Sequence, residues 1–180
     1  MGDLGRAHGG DEMKEAGTFF VIAMFFLVLF YGYIESEGGF KTSGQTVQTA
    51  PSCGSTDYRC QARADALDNG ISADLFERQI NEESGFKPNA VSRAGAVGIA
   101  QIMPSTAKSW GVNPWDPAAS LLAAAKAMSW YQSQYGSFDK ALACYNAGCS
   151  SLLTAEKGCG WNWKACLPAE TQRYIAVIGG

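Results

Sequence analysis

The stretch INEESGFKPNAVSRAGAVGIAQIMPSTA, residues 80–107, joins the end of a predicted helix to a long segment rich in glycine, alanine and serine. The apolar positions of this helix, continued by steps of three and four residues, lead to Glu83 and not to its neighbour Glu82. Glu82 follows Arg78 by four residues, so we expect Glu82 to be a solvated surface residue. Glu83 is expected to turn inward.

Glu83 stands in the last turn of this helix, directly before a stretch that begins with Ser84 and Gly85. Unpaired carbonyls and the negative end of the helix dipole disfavour an anion there, and partial burial does the same. A carboxylic acid that stays neutral near pH 7 is suited to protonating a glycosidic oxygen. The alternative is that Glu83 ends a helix and has no catalytic role.

The composition excludes two broad classes of protein. The chain has 180 residues, 47% of them hydrophobic, and a net charge of −3. Residues 53–180 hold 11 basic and 11 acidic residues, so the acidic excess lies in the first 52. This is neither a disordered acidic chain nor a basic nucleic-acid binder. We therefore expect no nucleic-acid partner.

All six cysteines lie after residue 52, and no C-x-x-C occurs. The only histidine is His8, near the N-terminus, so we expect no metal site. An even number of cysteines in one region predicts disulfides in an oxidising compartment, with 15 possible pairings. We expect one bridge between the first two and two bridges in the last third of the chain. The six are Cys53, Cys60, Cys144, Cys149, Cys159 and Cys166.

The N-terminal region predicts a membrane anchor. The 19 residues 16–34, AGTFFVIAMFFLVLFYGYI, carry no charge, and as a helix they would reach roughly 28 Å, close to the thickness of the hydrocarbon core. We predict a tail over residues 1–15, a transmembrane helix over 16–34 and a flexible linker over 35–52. A buried core helix is the alternative. The cysteines place the following domain on the oxidising side of the bilayer.

Residues 53–180 predict one mainly α-helical domain, with at most a small β-hairpin in the loop-like segment 87–102. Asp74 and Glu77 resemble a capping box at the start of the helix that ends at Ser84. A loop that holds Cys149, Cys159 and the tryptophans between residues 160 and 164 is expected before the last helix. The helices are predicted over residues 57–69, 74–84, 105–110, 116–136, 139–147 and 169–178.

Four short blocks in order resemble the signature of the family 1 (SLT-type) lytic transglycosylases, lysozyme-like domains that cleave bacterial peptidoglycan. The departures are small: Ile99 and Ala100 replace the usual Leu-Met, and Cys144 replaces an alanine, which fits an added disulfide. The blocks are Glu83, Ser84, Pro88, Ala90 and Ser92; Gly95, Gly98, Gln101, Met103 and Pro104; Tyr145, Asn146, Ala147 and Gly148; and Glu170, Thr171 and Tyr174.

The resemblance implies a lysozyme-like fold of the goose-type/SLT kind and an enzyme without a cofactor. Glu83 matches the single catalytic acid and base, which would close a 1,6-anhydro ring on N-acetylmuramic acid. Tyr174 matches a tyrosine that hydrogen-bonds this acid, and Glu170 matches a buried acid of the last helix. Gly95 and Gly98 would let the backbone approach the sugar. The remaining implied substrate-binding residues are Ser84, Ser92, Gln101, Met103, Tyr145 and Asn146.

Three functions remain open from the sequence. The first is a membrane-anchored lytic transglycosylase that acts on peptidoglycan glycan strands. The second is a goose-type-lysozyme-like hydrolase, which would need Asp116, Asp139 or Glu170 as a second carboxylate. The third is a non-catalytic glycan-binding component of a secretion system or virion, in which partner proteins would be expected. The sequence leaves open whether the host membrane belongs to a bacterium or to a phage.

Overall fold

A computed structural model describes residues 53–180; the predicted tail, transmembrane helix and linker, residues 1–52, lie outside the described residues. No helix within residues 53–180 is long and apolar enough to cross a bilayer. The mainly α-helical prediction is confirmed. The helices are α1 (Tyr58–Asp68), α2 (Ala73–Ser84), α3 (Pro104–Trp110), α4 (Pro117–Tyr135), α5 (Phe138–Ala147), α6 (Cys149–Cys159), a 3₁₀ helix (Gly160–Cys166) and α7 (Ala169–Gly179).

Helix α2 carries the predicted catalytic residue Glu83, and the residues at its two ends determine where it begins and where it stops. Its first turn is capped by Ser72, whose hydroxyl accepts a hydrogen bond from the Leu75 amide at 3.4 Å. The predicted capping box of Asp74 with Glu77 is therefore wrong. At the other end Gly85 has φ 62°, a left-handed conformation that favours glycine and stops the helix.

The helices pack around one apolar core, which brings α2 and α7 together. Helix α1 packs on α2 and α4, while α5 packs on α4, α6 and α7. Helix α7 in turn lies against α2. This contact joins residues that lie 91 positions apart in the chain, among them Glu83 and Tyr174. The large side chains that are fully buried in the core include Phe76, Ile80, Ile99, Ile102, Leu121, Met128, Leu142, Leu152 and Ile178.

The segment after α5 corrects the sequence prediction, because α6 and a 3₁₀ helix occupy the expected loop. Leu152 and Ala155 lie three residues apart and are both buried, so this segment has a narrow apolar face. We predicted a loop because the glycines and tryptophans of this segment interrupt the helical pattern of its apolar residues. The three disulfides are Cys53–Cys60, as predicted, Cys144–Cys149 and Cys159–Cys166.

The segment 87–102 contains only two isolated antiparallel bridges, Val91 with Val97 and Val97 with Ile102, and no strand is present in residues 53–180. Gly98 is buried at φ +77°, and a Cβ atom there would lie 1.9 Å from the carbonyl oxygen of Pro114. The close approach that requires this glycine is therefore to Pro114, and not to a sugar as we predicted.

Candidate active site

An open cleft of about 490 Å³ lies where α2, α7, the end of α5 and the segment 92–103 meet. It brings together eight of the nine predicted catalytic and substrate-binding residues, and Ser84 is the exception. The lining residues are Glu82, Glu83, Ser92, Arg93, Ala94, Ala96, Gln101, Met103, Tyr145, Asn146, Glu170, Arg173 and Tyr174.

Ser84 is the one predicted site residue that does not line the cleft. The Ser84 hydroxyl donates a hydrogen bond to the Ile99 carbonyl at 2.6 Å and accepts one from the Lys87 amide at 3.2 Å. These bonds tie the end of α2 to the segment that forms the opposite wall. The structure therefore gives Ser84 a supporting place behind the cleft, and its predicted contact with substrate has no support in this geometry.

Glu83 lies partly buried at the end of α2, and Tyr174 of α7 donates a hydrogen bond to its Oε1 atom. Burial raises the pKa of Glu83 from its ordinary value of 4.5 to about 7. The hydrogen bond from Tyr174 acts in the opposite direction, since it favours the carboxylate, while the charges of Glu82 and Glu170 raise the pKa further. Glu83 is therefore a carboxyl group poised to both give and take a proton near neutral pH.

Two tyrosines flank this acid, and both are fixed by their hydroxyl groups. Burial, followed by the nearby charge of Glu83, raises the pKa of both Tyr145 and Tyr174 well above the ordinary value of 10, so both stay protonated. Tyr145 donates its hydroxyl hydrogen to the Ala100 carbonyl at 2.7 Å. What Tyr145 presents to the cleft is therefore its ring, which suits contact with the apolar face of a sugar.

Asn146 projects into the cleft from the end of α5, and its amide orientation is set by α7. The buried hydroxyl of Thr171 donates to Asn146 Oδ1 at 2.7 Å. This bond engages the oxygen and leaves the Nδ2 group, a donor, for a ligand. The sequence predicted no role for Thr171, although this residue lies in the fourth block between the predicted site residues Glu170 and Tyr174.

Gln101 and Met103 form the opposite wall. Gln101 adopts φ 48°, unusual for a residue other than glycine, and its Nε2 atom donates to the Gly98 carbonyl at 2.8 Å and more weakly to Ala90 at 3.3 Å. The Oε1 atom is thereby left as an acceptor toward the cleft. Met103 is 41% exposed, which leaves its thioether surface free for contact.

The geometry agrees with what the comparisons with known proteins find. The transglycosylase SLT domain family matches residues 61–165, more than half of the chain. The chain belongs to this family. The matched range holds Glu83 and every other lining residue up to Asn146, whereas Glu170 and Tyr174 lie beyond it in α7.

Several proteins resemble this SLT domain. A transglycosylase of Enterobacteria phage PRD1 is 37% identical over 105 residues, which cover 56% of this chain and 36% of the phage protein. Membrane-bound lytic murein transglycosylase D of Escherichia coli (strain K12) is 34% identical over 107 residues, 52% of this chain and 24% of that protein. The chain thus spans only about a third and a quarter of these relatives.

A solved structure supports the fold of the SLT domain. The X-ray structure of an inactive mutant of the lytic transglycosylase Slt from Pseudomonas aeruginosa matches with a TM-score of 0.60. The match covers 69% of this chain and 23% of that one, at 24% sequence identity. The expected lysozyme-like SLT fold is therefore confirmed for the helical domain.

Two acids of the SLT domain lie elsewhere than predicted. The Glu82 side chain is only 25% exposed, and Arg173 of α7 donates to it at 2.8 Å, so Glu82 lines the cleft and is not a solvated partner of Arg78. Glu170 was expected to be buried, but it is exposed in the first turn of α7. Sequence spacing cannot reveal either arrangement, because both depend on how α7 docks on α2.

A second cavity of about 290 Å³ adjoins the cleft and shares Gln101, Met103, Tyr145 and Asn146 with it. Trp110 and Tyr131 add aromatic surface there. The disulfide partners Cys144 and Cys149 form part of its wall, directly before Tyr145 and at the start of α6. The second cavity therefore extends the aromatic and polar lining beyond the cleft.

Proposed function

We propose that this SLT domain is a lytic transglycosylase that cleaves the β-1,4 bond between N-acetylmuramic acid and N-acetylglucosamine in peptidoglycan. The single observation that carries the proposal is the state of Glu83. Its pKa is raised to about 7 by burial, and the phenol of Tyr174 is its hydrogen-bond partner. Such a group is protonated in a large fraction of molecules at neutral pH, as a general acid must be.

The proposed reaction uses Glu83 twice. The carboxylic acid first donates its proton to the glycosidic oxygen, and the bond from that oxygen to C1 of the muramic residue breaks. The resulting carboxylate then takes the proton of the C6 hydroxyl of the muramic residue. The C6 oxygen bonds to C1 at the same time. The proton count of Glu83 is restored, no water is consumed, and a 1,6-anhydro end forms.

One carboxylate suffices in this scheme because the nucleophile belongs to the substrate. An intramolecular hydroxyl held in place reaches effective concentrations on the order of 10⁵ M or more, so no second residue has to activate water. The Tyr174 hydrogen bond favours the charged form of Glu83. It therefore stabilises the carboxylate that exists between the two proton transfers.

The polar groups of the cleft support a peptidoglycan strand as the substrate. The free donor of Asn146 and the free acceptor of Gln101 can pair with an N-acetyl group, which has one acceptor and one donor. Arg93 lines the cleft, is exposed, and makes no ion pair within residues 53–180. Its guanidinium suits the carboxylates of the peptide stems that muramic residues carry.

A hydrolase remains the second candidate, and Glu170 is the observation that favours it. This exposed carboxylate lines the same cleft and could activate a water molecule. The other two candidates are engaged elsewhere: Asp116 caps α4 through the Ala119 amide at 3.1 Å, and Asp139 pairs with Lys164. A purely glycan-binding role gives no reason for the raised pKa of Glu83.

The products distinguish these functions. Purified peptidoglycan is digested with the wild type, with Glu83→Gln and with Glu77→Gln as a matched control on the outward face of α2, and the fragments are resolved by mass spectrometry. We expect anhydro-ended muropeptides from the wild type and the control, and none from Glu83→Gln. Hydrated reducing ends alone would establish the hydrolase, and binding without release of fragments would establish the glycan-binding role.

We further propose that residues 16–34 anchor this domain in a membrane through the linker 35–52, with the domain on the oxidising side. The uncharged run of 19 residues and the three disulfides of residues 53–180 support this placement. A bacterial envelope or a virion membrane would suit it, within an assembly that breaches the wall. Full-length chain should sediment with membranes and resist salt extraction; recovery in the supernatant would contradict the anchor.

A further inference from the structure

Gln79 is a polar side chain that the fold buries completely without an evident structural reason. It lies on α2 and is 0% exposed. Neither its Nε2 nor its Oε1 atom makes a hydrogen bond of ordinary length and angle within the described part of the chain. A buried amide without partners destabilises a fold, so it calls for an explanation other than packing.

The position of Gln79 in the fold offers an explanation for its burial. It precedes Glu83 by four residues, so both side chains leave α2 on the same face. Its amide also lies close to the Tyr174 hydroxyl. Burial and the charge of Glu83 raise the pKa of Tyr174, and a weak side-chain hydrogen bond from Gln79 lowers it. An amide has this effect on a phenol when its N–H group points at the phenol oxygen.

This inference rests on the function proposed above. We infer that Gln79 is a positioning residue for the proton donor: its buried amide faces the Tyr174 oxygen and fixes the direction of the phenol hydrogen. With an N–H group on one side of that oxygen, the O–H bond points away from Gln79 and toward Glu83 Oε1.

The consequence concerns which oxygen of Glu83 carries the transferable proton. Because Oε1 accepts the hydrogen of Tyr174, the acid proton of Glu83 resides on Oε2. Oε2 is the oxygen left for the substrate. Without the amide of Gln79, the phenol can rotate, its hydrogen bond to Glu83 is made in fewer molecules, and the acid proton is no longer confined to one oxygen.

The test replaces the amide by an apolar group of similar length in Gln79→Met. Gln61→Met is the matched control, since the Gln61 Oε1 atom is likewise buried without a partner but lies on α1, away from the cleft lining. The Glu83 carboxyl is titrated by ¹³C NMR in the wild type, in both variants, in Tyr174→Phe, and in the double variant of Gln79 and Tyr174. Thermal unfolding and the rate on peptidoglycan are measured alongside.

We expect Gln79→Met to raise the pKa of Glu83, because the Tyr174 hydrogen bond that lowers it is weakened. The variant should lower kcat by about three- to tenfold with little change in KM, and it should melt no earlier than the wild type. Gln61→Met should change neither titration nor rate. In the Tyr174→Phe background the same substitution should have no additional effect.

Two results would overturn the inference. One is an unchanged Glu83 titration in Gln79→Met. The other is an equal shift with and without the Tyr174 hydroxyl, since Gln79 would then act by another route. The titration needs no turnover, so a wild type that leaves peptidoglycan intact would refute the proposed function while the role of Gln79 is still decided.

Discussion

The two faces of α2 carry the same type of side chain in opposite states. On the outward face Glu77 accepts hydrogen bonds from Arg63 at 2.8 Å and Arg59 at 3.0 Å, and Arg63 also bonds Asp74 at 2.6 Å. Hydrogen bonding to Arg63 is the main reason that the pKa of Glu77 lies below its ordinary value. Six residues later on the inward face, burial raises the pKa of Glu83 to about 7.

The difference lies in the partner that each carboxyl group meets. Glu77 meets guanidinium groups, which stabilise its charge, whereas Glu83 meets the neutral phenol of Tyr174 and no cation within residues 53–180. Arg173, the cation nearest in sequence to Tyr174, is paired with Glu82. A proton donor thus arises here from burial, together with the pairing of a nearby arginine with a neighbouring acid.

The largest change that we expect is a loss of activity that distinguishes Glu83 from Glu77. Glu83→Gln keeps the shape and one hydrogen-bond acceptor but cannot donate or take the proton, so we expect the rate on peptidoglycan to fall by roughly 10³-fold. Glu77→Gln should stay within about twofold of the wild type, because its face does not line the cleft. Comparable losses in both variants, measured by solubilisation of labelled peptidoglycan, would remove the functional distinction between the faces.

The next effect is on stability and depends on pH. The folded pKa of Glu83, about 7, exceeds its ordinary value of 4.5, so its favourable contribution is full below about 4.5 and is lost as the pH rises through 7. Glu83→Gln should therefore be more stable than the wild type at pH 8, by up to about 3 kcal/mol, with no such gain at pH 4. Urea unfolding at both pH values measures this; a gain of the same size at pH 4 would contradict it.

A smaller effect tests the role of Glu82. Its charge raises the pKa of Glu83, so Glu82→Gln should lower that pKa and move the alkaline limb of the rate profile to lower pH. We expect the activity at pH 8 to fall about two- to threefold relative to that at pH 6. Tyr174→Phe should move the limb the other way, since its hydrogen bond lowers the pKa. Shifts in the same direction in both variants would refute the assigned causes.

The smallest effect that we expect is on stability and concerns Glu77, on the outward face of α2. The folded pKa of Glu77 is lowered, so its contribution is present at neutral pH and is lost on acidification through that value. The ion pairs are solvent-accessible, so Glu77→Gln should cost less than about 1 kcal/mol at pH 7, and 0.5 M salt should shrink the difference. A cost that survives both acid and salt would mean that Glu77 acts through packing.

The sequence predicts the parts of this arrangement that depend on local spacing. The 3.6-residue period of α2 directs Glu83 to the cleft, although Glu82, which the same period assigns to solvent, lines it as well. Asp116 with Gly136 bounds α4 as expected. The first three blocks lie within the range that the SLT domain family matches, while the fourth lies beyond it in α7. The pairing of the first two cysteines, seven residues apart, is also local.

The remaining features depend on contacts between distant segments, which no local pattern encodes. Arg173 reaches Glu82 across 91 residues, and Thr171 orients Asn146 across 25. Gln79 is polar, so a hydrophobicity pattern places it outside the core, yet it is completely buried where α2 packs on its neighbours. Helix α6 was missed because its apolar face is only a few residues wide.

The most direct test of the central claim is to titrate Glu83 and Glu77 in one sample. Selective ¹³C labelling of glutamate side chains, with assignment through the two Gln variants, follows both carboxyl groups of the wild type by NMR. We expect a Glu83 midpoint near pH 7 and a Glu77 midpoint below its ordinary value of 4.5. A Glu83 midpoint at or below 4.5, beside that of Glu77, would contradict it.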